Sequence, residues 1–255
     1  MPGGIAQYFT GLDYLLVLPM LLLTLFGMGI LLIDLMLPPE WKWSNALTAF
    51  VGVCFATAGV WRIHSWYNAQ GGIMGHAAFM NTLVVDRLAL YFFYLFLAGT
   101  AVAILMSARY LEIEKENHGE YYALMLFSVV GMMCMAAGAD IVMIFIGLEL
   151  MAISTYVLVG FLRRDKRSNE ASLKYMLLGA FSSGIFAYGL SLFYGLTGST
   201  NIYLIQQRLA QRVQEHGGHA DPILVVAMLT TATGLLFKVA AVPFHQWAPD
   251  AYEGA

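Results

Sequence analysis

The apolar residues of this chain fall in long runs rather than in short stripes. A helix rises 1.5 Å per residue and a bilayer core is about 30 Å thick, so about 20 apolar residues suffice to cross it. Seven such runs can be read: about Leu12 to Leu37, Ser44 to Ile63, Val85 to Ser107, Tyr121 to Ala137, Ile141 to Leu162, Ala171 to Leu196, and from Pro222 onward. Pro38-Pro39 closes the first, because proline cannot continue the helical hydrogen-bond ladder. Only Gly138-Ala139-Asp140 separates the fourth run from the fifth, which predicts a tight helical hairpin. The stretches 64–81 and 198–221 are too polar to span, and within the second Ile202–Val213 reads as an amphipathic helix. Pro222 suits the first turn of the seventh run, and Pro243 interrupts it. The pattern predicts an all-α, polytopic membrane helix bundle of about seven spans, the seventh broken near Pro243.

Composition leads to the same class. Of the 255 residues 60% are hydrophobic and only 11% charged, with a mean hydropathy of +0.70. Soluble domains carry about 25% charged residues, so these charges cannot cover a soluble surface. A net charge of −3 offers nothing to a nucleic acid, and the lipid bilayer is the expected surrounding. Cys54 and Cys134 lie in apolar runs without the CxxC spacing of a zinc or iron–sulfur site, which predicts small core residues. Residues 1–11 carry no Lys or Arg and the first run is too long for a signal sequence, so no cleaved leader is expected. Counted over alternate loops, Lys42, Arg109, Lys115, Arg163, Arg164, Lys166 and Arg167 lie on one side, against Arg62, Arg87, Arg208 and Arg212 on the other. Positive charge favours the inner side, which predicts an outer N-terminus. The chain ends at Ala255 within helix-compatible sequence, so further spans are expected beyond it.

Four ionisable residues within or beside the runs are the candidates for chemistry. Glu149 sits mid-run in IFIGLELMAIS, where a carboxyl must be protonated, paired or beside water. Lys238 sits in GLLFKVAAVPFHQW, five residues before Pro243. A cation at mid-membrane costs roughly 2.5–3.5 kcal/mol on insertion scales, so it is kept for a path or a partner. Glu149 is its natural counter-charge: desolvation drives a buried lysine toward neutrality and a carboxylate opposes this, so a lysine between the two can take up and release a proton. The competing reading has Lys238 snorkelling to an interface with Trp247 as its anchor. Lys174 is expected in the first or second turn of the sixth span, after a cap from Ser168-Asn169-Glu170, either snorkelling or relaying protons from the inner side. His245, two residues past the break, is a structural hydrogen-bonding group or a proton relay. Asp34, Asp86 and Asp140 lie near span ends and read as structural, and the small residues Gly179, Ser182, Ser183 and Gly184 predict close helix approach.

These motifs resemble a family. FKVAAVPFHQWAPDAYEGA is similar to the broken seventh helix of the antiporter-like subunits of respiratory complex I, the proton-pumping NADH-quinone oxidoreductase. GLELMAISTYVLVGF and EASLKYMLLGAFSSGIFAYG resemble its fifth and sixth helices, and WAPDAYEGA is closer to the N branch than to the L and M branches. The resemblance implies about fourteen helices, of which residues 1–110 would supply the first three and 111–255 the first part of the repeat. It implies proton transfer by Glu149, Lys238, Lys174 and His245, driven by quinone reduction elsewhere in the complex. It further implies that this chain binds no cofactor, that NADH and quinone are used by the complex, that its partners are the other membrane subunits, and that it resides in a bacterial inner membrane. A subunit of a multisubunit cation/proton antiporter would share the broken helix and the Glu/Lys pair, and a related membrane-bound hydrogenase is a further alternative. A purely structural scaffold would tolerate their joint neutralisation.

Overall fold

The computed structural model describes residues 10–71, 75–114, 116, 118–215, 217–219 and 221–255. Lys115, His216 and the extreme N-terminus, on which parts of the sequence reading fall, lie outside them. Among the described residues the elements run α1 (Gly11–Asp34), α2 (Ser44–Ala69), β1 (His76–Ala78), β2 (Leu83–Val85), α3 (Arg87–Glu114), α4 (Gly119–Ala137), α5 (Ile141–Val159), α6 (Lys166–Thr197), α7 (Ile202–Glu215), α8 (Pro222–Lys238) and α9 (Trp247–Gly254). Among those residues α1 to α6 are the six helices long and apolar enough to cross a membrane, α2 with the short 3-10 turn ahead of it. The seventh, α8, has 17 residues, or about 26 Å at 1.5 Å per residue, and is the shortest of the apolar helices.

The chain divides into two compact units, 1–138 with 146–155, and 139–145 with 156–255, so α5 contributes turns to both. In the first unit α1 packs on α2 and α4, and α3 packs on α2 and α4. Leu16, Leu23, Ile30, Ile63, Phe93, Leu97, Tyr122 and Leu126 are fully buried there, while the outward faces keep Leu25, Leu32, Trp61, Leu105 and Met106 exposed. A one-sided apolar core with apolar outer faces is what a bilayer solvent requires. Thr10 and Asp13 form a capping box at the start of α1, and the Asp13 carboxylate also accepts the Phe79 N–H at 2.8 Å. That bond anchors the turn between β1 and β2, a two-stranded antiparallel hairpin with His76 opposite Val85. Its residues Phe79, Met80 and Asn81 all have positive φ. The hairpin, the extension of α2 to Ala69 and that of α3 to Glu114 lie outside the sequence reading, which ended those runs where hydropathy falls. Polar helical turns continue into the aqueous boundary because their backbone still satisfies itself.

The second unit is organised by α6, against which α7, α8 and α9 pack. Asp140 caps α5 through the Val142 N–H at 2.8 Å and also receives the Thr200 hydroxyl, tying the helix start to the segment after α6. The structural reading of Asp34, Asp86 and Asp140 holds: Asp34 accepts Asn45 and Lys42, and Asp86 accepts the Ala89 N–H. Of the predicted small-residue patch, Gly179, Ser182 and Ser183 are buried, whereas a Cβ at Gly184 would meet open space. The close α6–α8 contact uses two glycines the reading overlooked. A Cβ on Gly189 would lie 2.7 Å from the Thr231 nitrogen, and one on Gly234 would lie 3.0 Å from the Phe186 Cα. The predicted amphipathic helix is present as α7.

Candidate functional site

Glu149 is the ninth of the nineteen residues of α5 and is half-buried, among the turns that belong to the first unit. Its place along the helix is set by a backbone contact two residues earlier. A Cβ added to Gly147 would lie 2.8 Å from the Gly131 carbonyl oxygen, so α4 and α5 approach as closely as their backbones permit. The hairpin anticipated from Gly138-Ala139-Asp140 is thereby locked at mid-span.

Lys238 is the last residue of α8. The helix stops there, five residues ahead of Pro243. The preceding residues close the helix as a Schellman motif: Ala240 takes φ +51°, its N–H bonds the Phe237 carbonyl at 3.0 Å, and the Ala241 N–H bonds the Leu236 carbonyl at 2.9 Å. The Trp247 indole N–H adds a second bond to the Phe237 oxygen at 2.9 Å. Non-helical chain then runs from 239 to 246, and α9 starts at Trp247. Lys238 therefore sits at the helix C-terminus, where the backbone dipole favours a cation. Ala240 pays the left-handed Cβ penalty of roughly 1–2 kcal/mol. Ala240→Gly is therefore expected to raise stability by up to about 1 kcal/mol, read as a higher unfolding midpoint in detergent.

The Lys238 ammonium donates to the Tyr156 hydroxyl at 3.1 Å and lies 5.6 Å from the centre of that ring. Tyr156, on the last full turn of α5, is only 5% exposed. Its ring meets Tyr175 edge-on at 4.5 Å, and Tyr175 stacks on Trp247 at 4.3 Å with 10° between the planes. Its backbone carbonyl accepts the Ser172 hydroxyl at 2.8 Å, and its phenol occupies the space that a side chain at Gly179 would need. Trp247, read from the sequence as a possible interfacial anchor, thus closes the helix break and extends an aromatic stack that begins at the lysine's partner.

Lys174 lies deeper in α6 than expected. Asp165 caps the helix through the Arg167 N–H at 2.9 Å, so α6 starts at Lys166 and Lys174 falls in its third turn. Ser168-Asn169-Glu170 is inside the helix, and the Ser168 hydroxyl bonds the Val159 carbonyl at 2.7 Å. The exposed Lys174 ammonium bridges Glu170 at 2.8 Å and Asp250 of α9 at 3.0 Å, with Arg167 and Glu253 4.0 Å apart beside them. These residues line a polar cleft of about 210 Å³. His245 is exposed and lies within the non-helical connection, not beyond it. Within the second unit Lys238 and Lys174 are held by different partners. Tyr156 and Asp250, which hold them, were missed. Asp250 was visible in the sequence only as part of a motif, and Tyr156 as one aromatic among many in an apolar run.

A bundle of membrane-crossing helices, with a mid-span carboxylate and a lysine at the end of a broken helix, defines an antiporter-like membrane protein. Residues 137–255 match the family model described as NADH:quinone oxidoreductase/Mrp antiporter, transmembrane. That match takes in the last 119 of the 255 residues, and the curated relatives this chain is similar to are named subunit N, the branch that WAPDAYEGA resembles. The chain is 63% identical over 246 residues to NADH-quinone oxidoreductase subunit N 1 of Koribacter versatilis, covering 95% of this chain and 48% of that protein. With subunit N of Trichlorobacter lovleyi it shares 41% over 255 residues, 100% of this chain and 50% of the relative. A chain in the solved structure of respiratory complex I from Thermus thermophilus with bound Aureothin is 26% identical with a TM-score of 0.71, covering 93% of this chain and 47% of that one. The chain thus spans about half the length of the curated relatives it matches.

Proposed function

We propose that this chain acts as a proton-translocating membrane subunit of a NADH-quinone oxidoreductase. It works with the other membrane subunits of that complex in a bacterial inner membrane, its N-terminus on the periplasmic side. The observation that carries this reading is the lysine at the end of a membrane helix that breaks beside it. Lys238 takes up and releases a proton, Glu149 sets how firmly that proton is held, and Lys174 and His245 connect the site to water. The chain contributes no electron transfer of its own: NADH and quinone are used by the complex, and no cofactor binds here. The aqueous cleft beside Lys174 supports an entry role for that residue, since a charged, solvent-open cluster can exchange protons with bulk water.

Affinity purification of the tagged full-length protein from its native membrane tests this. The expected result is co-purification of NADH-driven quinone reduction that acidifies or alkalinises sealed vesicles. Recovery with antiporter subunits alone, without NADH oxidation and with sodium-dependent proton exchange, would overturn it. Labelling of a cysteine placed at Arg164 is expected only from the cytoplasmic side, which checks the orientation.

A further inference from the structure

We propose that Tyr156 is the positioning residue of Lys238, a tether that holds the lysine in both of its protonation states. This rests on the proposed role of Lys238. An ammonium only donates, a carboxylate only accepts, and a neutral amine can accept through its lone pair. A carboxylate partner therefore holds a charged lysine firmly and a neutral one weakly. A phenol both donates and accepts. Its oxygen accepts from the Lys238 ammonium at 3.1 Å, and after proton loss the same O–H, turned about its C–O bond, can donate to the amine nitrogen. The partner atoms stay in place while the direction of the bond reverses.

The surroundings fix the phenol for this task. Tyr156 is 5% exposed, its ring is braced edge-on by Tyr175, and Tyr175 is stacked on Trp247. Trp247 in turn bonds the carbonyl of Phe237, the residue before Lys238. The backbone that carries the lysine and the ring that receives it are thus joined through one stack of side chains. Gly179 leaves the room: a Cβ there would overlap the phenol oxygen and ring. A lysine has four rotatable side-chain bonds, so holding its nitrogen at one point costs conformational entropy. A fixed, ambivalent partner keeps its nitrogen at one point through the cycle, where the next proton acceptor can meet it.

Tyr156→Phe in the full-length protein, assembled in its complex, tests the tether because it keeps the ring, the stack and the Gly179 fit. NADH-driven proton uptake into sealed vesicles, measured from pH 6 to pH 9, is expected to fall about three- to tenfold per assembled complex, with its pH profile displaced from the parent's. A phenylalanine variant with parental rate and an unshifted profile overturns the proposal. So does a fall that tracks only the amount of assembled complex, since that is what a packing role gives. Gly179→Ala, which displaces the phenol without removing it, is expected to reproduce the profile shift, and a parental profile in that variant counts against the tether. The two readings separate through Lys238→Ala. If that variant pumps normally, the lysine's own role fails. If it is inactive while Tyr156→Phe is parental, only the tether fails.

Discussion

Lys238→Ala in the assembled, full-length protein is expected to lower NADH-driven proton translocation roughly a hundredfold or more, the scale of losing a positioned proton-transfer group. The same change is expected to favour membrane insertion, because it removes a cation whose burial costs roughly 2.5–3.5 kcal/mol. Activity and stability therefore move in opposite directions, which a structural lysine would not produce. Glu149→Gln keeps the shape of the half-buried α5 side chain and removes its charge, and a comparable loss is expected. The measurement is proton uptake into sealed vesicles per NADH oxidised. Near-normal coupling in both variants would remove the proton-transfer reading and leave a scaffold. In contrast, Lys174→Gln is expected to weaken translocation only severalfold, since its ammonium is exposed and shared between Glu170 and Asp250, and water can stand in for it.

Gly131→Ala is expected to cause the largest loss of stability from a single methyl group. Two effects oppose each other. Alanine favours a helix over glycine by about 1 kcal/mol. Its Cβ would, however, lie 2.5 Å from the Gly147 carbonyl oxygen and 2.6 Å from the Met151 nitrogen. Both are backbone atoms of α5, which cannot rotate away as a side chain could, so the helices must separate and their packed side chains loosen. Overpacking of this kind costs about 1–3 kcal/mol or more, and it outweighs the propensity gain. Thermal unfolding in detergent is expected to show a clear drop in midpoint. Gly99→Ala on α3 is the control, because a Cβ there meets nothing within 4 Å, and it is expected to be neutral or slightly stabilising. Equal effects at both positions would mean that the α4–α5 contact is not close in the native protein. Since Glu149 lies two residues after Gly147, loss of this contact is also expected to impair translocation.

The spans were legible because a bilayer imposes one demand on every residue of a crossing segment. Hydropathy alone therefore located α1 to α6 to within a few turns. Their ends were less legible, because α2 and α3 continue as polar turns where hydropathy has already fallen. The start of α6 was misplaced for a local reason: Asp165 and Ser168 are both competent caps, and only the chain's path decides between them. Pro243 marks the break in the sequence, but the left-handed Ala240 and its Schellman bonds already end α8 at Lys238, five residues earlier.

By itself the sequence determined the class of the protein, the number and order of its apolar helices to within the short α8, and the identities of Glu149 and Lys238 as charges out of place. Those are properties of single residues set against their immediate neighbours, so one strand of text contains them. The tertiary structure alone decided that Lys238 donates to Tyr156, that Trp247 caps the broken helix, and that Lys174 clamps α9 through Asp250. Those partners are 82, 10 and 76 residues apart along the chain, and which of many Tyr, Trp and Asp side chains meets a given lysine depends on helix rotation and on where glycines allow backbones to close. Periodicity carries no record of that choice, because packing between helices is fixed by shape rather than by polarity.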